Sequence, residues 1–222
     1  MWLCILKFIL GILLIPFCWG ASLAFYRELG QVLPQSPQEI AFLWGVILYL
    51  IIHLFIFKPQ RIYVFSHEMV HAFFSWLSGG RIKRIKISDK GGEVKTDKVN
   101  FFTLIAPYIF PFYFLIFSLL FFILNASYRL DIIYLRAFLF VLGFSLSLHI
   151  LMTAESLRRI QPDLIQAGYL FSLTLIYLIN LLMVSFILSR IFPQFSFSSF
   201  LNFSYRITQN IFYRIFEQFF SI

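Results

Sequence analysis

The chain has 222 residues, 60% hydrophobic and only 13% charged, with a formal net charge of +8. A water-soluble domain of this size carries about twice that share of charge, so the composition excludes one and indicates a polytopic membrane protein. The cationic excess reads as Lys and Arg flanking spans on the cytosolic side, and no nucleic-acid partner is expected.

Cys4 and Cys18 both fall in the first apolar stretch and offer neither a metal spacing nor a disulfide framework. The four histidines, His53, His67, His71 and His149, are too few for a histidine-box oxygenase or desaturase and enough for one mononuclear site.

Taken in order, Trp2 to Phe25 is apolar and long enough to span, and is expected to stay as an anchor because no basic segment precedes it. Gln31 to Glu39 is polar, holds Pro34 and Pro37, and reads as a loop. Ile40 to Phe57 is a second span, with His53 near its end as an interfacial polar residue. Lys58-Pro59-Gln60-Arg61 interrupts the chain.

Ile62 to Ser78 is the informative stretch. It contains His67-Glu68-Met69-Val70-His71, the pattern H-E-x-x-H, among apolar and aromatic neighbours. Residues four apart share a helix face one turn from each other, so His67 and His71 can both reach one Zn²⁺. Glu68, beside the first of them, is placed to take a proton from a water activated by the metal. Two histidines do not complete a catalytic zinc site, which needs a third protein ligand and an open position. Asp163, His149, Glu155 and Asp131 are candidates. Asp163 has the best context, since it follows Pro162 just before a span.

Gly79-Gly80 ends the motif helix as a C-terminal cap. Arg81 to Lys98 is the most charged segment, with seven Lys/Arg and three acids. Ile85, Ile87, Val94 and Thr96 flank Asp89-Lys90-Gly91-Gly92, a plausible β-hairpin. Phe101 to Leu124 is a span interrupted by Pro107 and Pro111, prolines that kink a helix and free carbonyls for other use. Ile132 to Thr153 and Tyr169 to Ser189 are further spans, separated by a polar segment from Glu155 to Gly168. From Ser198 the tail repeats Ile207, Ile211, Ile215 and Phe219 every four residues, an amphipathic helix on the bilayer surface or against the bundle.

The expected fold is thus an all-α polytopic membrane protein. About six transmembrane helices are joined by a small hairpin after the metal-binding helix, and a C-terminal amphipathic helix follows. Residues 1–61 form two N-terminal spans, 62–190 a catalytic core and 191–222 an interfacial tail. With six spans the termini share one side. The basic loops on the other side, Arg81–Lys98 with Arg158 and Arg159, place the site's mouth toward the cytosol.

These features resemble, in order, the site-2 protease family of intramembrane zinc metalloproteases. The resemblance rests on His67-Glu68-x-x-His71, Gly79-Gly80, the hairpin with Gly91-Gly92, Ala106-Pro107 and Pro162-Asp163, and covers about residues 62 to 190. Where the family often has Asn-Pro-Asp-Gly or Leu-Asp-Gly, this chain reads Gln161-Pro162-Asp163-Leu164. The resemblance implies zinc held by His67, His71 and Asp163, with Glu68 as the base. It also implies hydrolysis of peptide bonds within or near transmembrane segments, as in regulated intramembrane proteolysis. The partners would be a transmembrane protein substrate and the lipid bilayer, with a prokaryotic cytoplasmic membrane as the expected setting. Two alternatives stay open: another class of membrane zinc peptidase with Glu155 as third ligand, and a non-catalytic scaffold with a remnant motif.

Overall fold

The computed structural model describes residues 2–88 and 91–220. Two compact units emerge, one of residues 1–34 with 164–222 and one of residues 35–163.

In the first unit, α1 (Trp2–Leu29), α8 (Tyr169–Ile191) and α9 (Phe197–Phe220) pack together. Small residues set the approach: a Cβ on Gly11 would lie 2.9 Å from the Leu170 side chain and the Phe171 backbone, and one on Gly20 would overlap Thr208. Buried Glu28 accepts the Ser196 N–H at 3.3 Å, just ahead of α9, where a helix start leaves donors free. The amphipathic tail is therefore real from Phe197. Its first half lies against α1, with Phe200 and Thr208 buried, while Phe216, Phe219 and Phe220 near its end are exposed.

The second unit holds α2 (Pro37–Ile51), which runs on as a π-helical turn over Ile52–Ile56. Then come α3 (Gln60–Leu77), β1 (Ile82–Ser88), β2 (Gly91–Thr96), α4 (Phe101–Ile109), α5 (Phe112–Tyr128) and α6 (Ile132–Leu157). Short α7 (Pro162–Ala167) begins at its end. Ser36 caps α2 by accepting the Glu39 N–H at 3.2 Å. Gly45 on α2 and Gly143 on α6 let these two helices meet backbone to backbone. A side chain on Gly45 would overlap the Phe140 carbonyl, and one on Gly143 the Phe42 carbonyl.

Among the described residues, four helices are long and apolar enough to cross a membrane: α1, Pro37–Ile56, α6 and α8. The pair α4–α5, bent by 71°, makes a fifth if counted as one span. The expected count of about six includes the motif helix. That helix carries Gln60, Arg61, Ser66, His67, Glu68, His71 and Ser75, too polar a set to match the other spans. Only one of the two prolines marks the break in the next span. Pro107 sits inside α4, whereas Pro111 stands at the bend as the N-cap of α5.

The hairpin forms as expected, antiparallel, with Ile85 opposite Val94 and Ile87 opposite Gly92. Asp89 and Lys90 of its predicted turn lie outside the described residues. Gly79 and Gly80 do end α3. Gly79 has φ +75°, its N–H donates to the Trp76 carbonyl, and the Gly80 N–H reaches back to Ser75. These two bonds are a Schellman cap.

Candidate metal centre

The centre is built on α3. His67 and His71 project from successive turns, with rings 4.7 Å apart. Their Nε2 atoms are 3.1 Å from each other. Asp163, in the first turn of α7, brings Oδ2 to 3.4 Å from His71 Nε2 and 3.7 Å from His67 Nε2. Among the described residues, this is the group of His, Cys, Asp and Glu side chains disposed to hold an ion.

These three separations test the fit. Ligand atoms about 2.0–2.1 Å from a tetrahedral zinc lie about 3.3 Å from one another. The observed 3.1, 3.4 and 3.7 Å bracket that value, and a point equidistant from all three lies about 2 Å from each. Two imidazole nitrogens and a carboxylate oxygen also form a donor set that zinc accepts. The residues therefore fit the ion, and three ligands leave a fourth position for chemistry.

Neighbouring groups orient them. Tyr108, fully buried on α4, donates its hydroxyl to Asp163 Oδ2 at 3.2 Å and sets its ring edge against His67, centroids 4.9 Å apart. His71 Nδ1–H donates to the Thr103 carbonyl at 2.7 Å. That leaves Nε2 with a free lone pair for a metal. Burial pushes the Asp163 carboxyl up, but the two imidazoles beside it outweigh this and hold it below the usual carboxylate range.

Packing of α4 and the hairpin along α3 keeps these partners in place. Ser75 on α3 bonds Thr96 Oγ1 on β2 and the Lys98 carbonyl, the latter at 3.1 Å. Asn100 Nδ2 reaches Ser78 Oγ at 2.7 Å. Glu68 is 6% exposed and faces the hairpin: a side chain added at Gly92 would overlap its Cγ, Cδ and Oε1.

The other candidates lie elsewhere. Glu155 is engaged by Lys58 at 2.9 Å and Arg158 at 3.6 Å. His149 is buried in α6, and Asp131 is the N-cap residue of that helix. Thr103 and Tyr108 flank the Ala106-Pro107 pair, and no local motif marks either as a partner of the site.

A model of the family described as Peptidase M50B-like matches residues 40–210. The chain belongs to the site-2 protease family. Site-2 proteases are membrane metalloproteases, which agrees with the several apolar helices and the multi-pass architecture found here. The match is wider than the 62–190 suggested by motifs alone. It takes in the second span and the tail as far as residue 210. No curated protein and no solved structure matches the chain.

Proposed function

We propose that this site-2 protease is an intramembrane zinc endopeptidase, cutting peptide bonds within or near transmembrane segments of other membrane proteins. One observation carries the reading: three ligand atoms at tetrahedral spacing, drawn from α3 and α7, with a buried glutamate on the same helix turn. His67, His71 and Asp163 would hold the ion. When bound, zinc would supply a Lewis acid that makes water acidic and a carbonyl electrophilic.

Glu68 supplies the proton traffic. As a base it takes a proton from the attacking water, and as an acid it returns that proton to the leaving amine. Its low exposure keeps bulk water from competing for that proton. Tyr108 and Thr103 hold Asp163 and His71 in place. A substrate helix must unwind locally, since a helical peptide bond is shielded. The hairpin beside Glu68 offers an edge to which the freed strand can add. A prokaryotic cytoplasmic membrane remains the setting of this reading.

The test is Glu68→Gln, purified with zinc bound. Cleavage of a reporter whose transmembrane segment the parent cuts should fall by about 10²–10⁴, the usual worth of a positioned base. A variant that binds zinc and cleaves at the parental rate would remove Glu68 from the mechanism.

A further inference from the structure

We infer that Pro107 is a positioning residue for the metal centre: by lacking an N–H, it frees the Thr103 carbonyl to fix the tautomer of His71. The inference rests on the proposed zinc site, and neither Pro107 nor Thr103 is among the residues that could hold the ion.

The register of α4 is set at its start. Asn100 is the N-cap: its side chain accepts the Thr103 N–H at 2.9 Å, and the Asn100 N–H donates to Thr103 Oγ1 at 2.7 Å. This reciprocal pair makes Thr103 the third helical residue. The Asn100 carbonyl then takes the Leu104 N–H at 3.1 Å, the ordinary bond between residues four apart. By the same rule the Thr103 carbonyl should take the N–H of residue 107. That residue is proline and has none.

A buried carbonyl without its helical donor is costly and seeks another. His71 Nδ1–H fills the place at 2.7 Å, shorter than the usual N–H···O bond. The proton is thereby held on Nδ1, and Nε2 keeps its lone pair beside His67 Nε2 and Asp163 Oδ2. His67 has no such support. Its Nδ1 is buried with no hydrogen-bond partner among the described residues. Of the two imidazoles, only His71 is preset for a metal by the protein backbone. Alanine at 107 would restore the N–H, draw the Thr103 carbonyl back into the helix and leave His71 to choose either tautomer.

The experiment uses ¹⁵N-histidine-labelled, metal-free protein in detergent, with His71 assigned by the signals lost in His71→Asn. In the parent, His71 should be the Nδ1–H tautomer. In Pro107→Ala the Nε2–H form should appear, and cobalt should bind about tenfold or more weakly, the scale on which outer partners of ligating histidines act. Pro111→Ala, at the bend and outside the link between the Thr103 carbonyl and His71, should leave both readouts as in the parent. A parent whose His71 carries its proton on Nε2 overturns the inference whether or not the variant folds. So does a folded Pro107→Ala with parental tautomer and cobalt affinity. A parent with the Nδ1–H tautomer that binds no cobalt would sink the proposed zinc site and leave the link from Pro107 to Thr103 and His71 supported.

Discussion

Removing the Asp163 carboxylate is the most direct way to probe the centre. Asp163→Ala takes away the carboxylate oxygen 3.4 and 3.7 Å from the two imidazoles and leaves a pair of nitrogens 3.1 Å apart. Losing an outer partner of a metal ligand costs 10–100-fold in affinity, so losing a ligand should cost at least about 100-fold. At a free zinc concentration 1,000 times the parental Kd, bound metal stabilises the parent by about 4.1 kcal/mol. The same zinc is only about ten times the variant's Kd and stabilises it by about 1.4 kcal/mol, a difference of about 2.7 kcal/mol. Zinc titration against a competing chelator and unfolding in detergent with and without zinc measure both quantities. Glu155→Ala is the control, since its carboxylate is held by Lys58 and Arg158. If Asp163→Ala keeps the parental affinity, or Glu155→Ala loses it, the third ligand has been assigned to the wrong carboxylate.

Three further outcomes follow from contacts at the site, between α2 and α6, and at the base of the hairpin. Gly92→Ala places a methyl group where Glu68 Cγ, Cδ and Oε1 now lie, so the glutamate or the strand must shift. A shift of about 1 Å at a catalytic group costs on the order of 100-fold, so cleavage should fall by about that factor while zinc content stays parental. Gly143→Ala drives a methyl into the Phe42 carbonyl at the α2–α6 contact, and unfolding measurements should show a loss of about 1–3 kcal/mol. At the hairpin base, Asp97 Oδ1 accepts the Arg81 N–H at 2.6 Å, which holds its carboxyl below the usual range. That bond is fully present above the ordinary Asp value and is lost as pH falls through the lowered one. The Arg81 amide proton shift should therefore titrate with a midpoint below about 3.9, and Asp97→Asn should abolish the step.

Much of this was legible in the residues. The pattern His67-Glu68-x-x-His71 is a local feature, since a helix repeats every 3.6 residues and no tertiary fact is needed to put both imidazoles on one face. The cap at Gly79-Gly80, the strands around Ile85 and Val94 and the amphipathic tail are local in the same way. The span count was less legible. An apolar flank around His67 looks like a span in one dimension, but the seven polar residues of α3 set it apart from α1, α6 and α8. The partners of the site were hardest to read. Pro107 lies exactly one hydrogen-bond step beyond Thr103, yet nothing along the chain says that His71 waits there.

What the sequence determined by itself is everything that depends on neighbours within a turn or a hairpin: two imidazoles on one helix face, the carboxylate beside them, the caps and the greasy spans. The tertiary structure alone decided which distant carboxylate meets those imidazoles, which carbonyl orients His71, and that Gly92 must stay bare beside Glu68. The reason is physical. Helical periodicity and turn chemistry act over a few residues, whereas the approach of Asp163 to His71, like that of Gly92 to Glu68, is set by how separate elements pack.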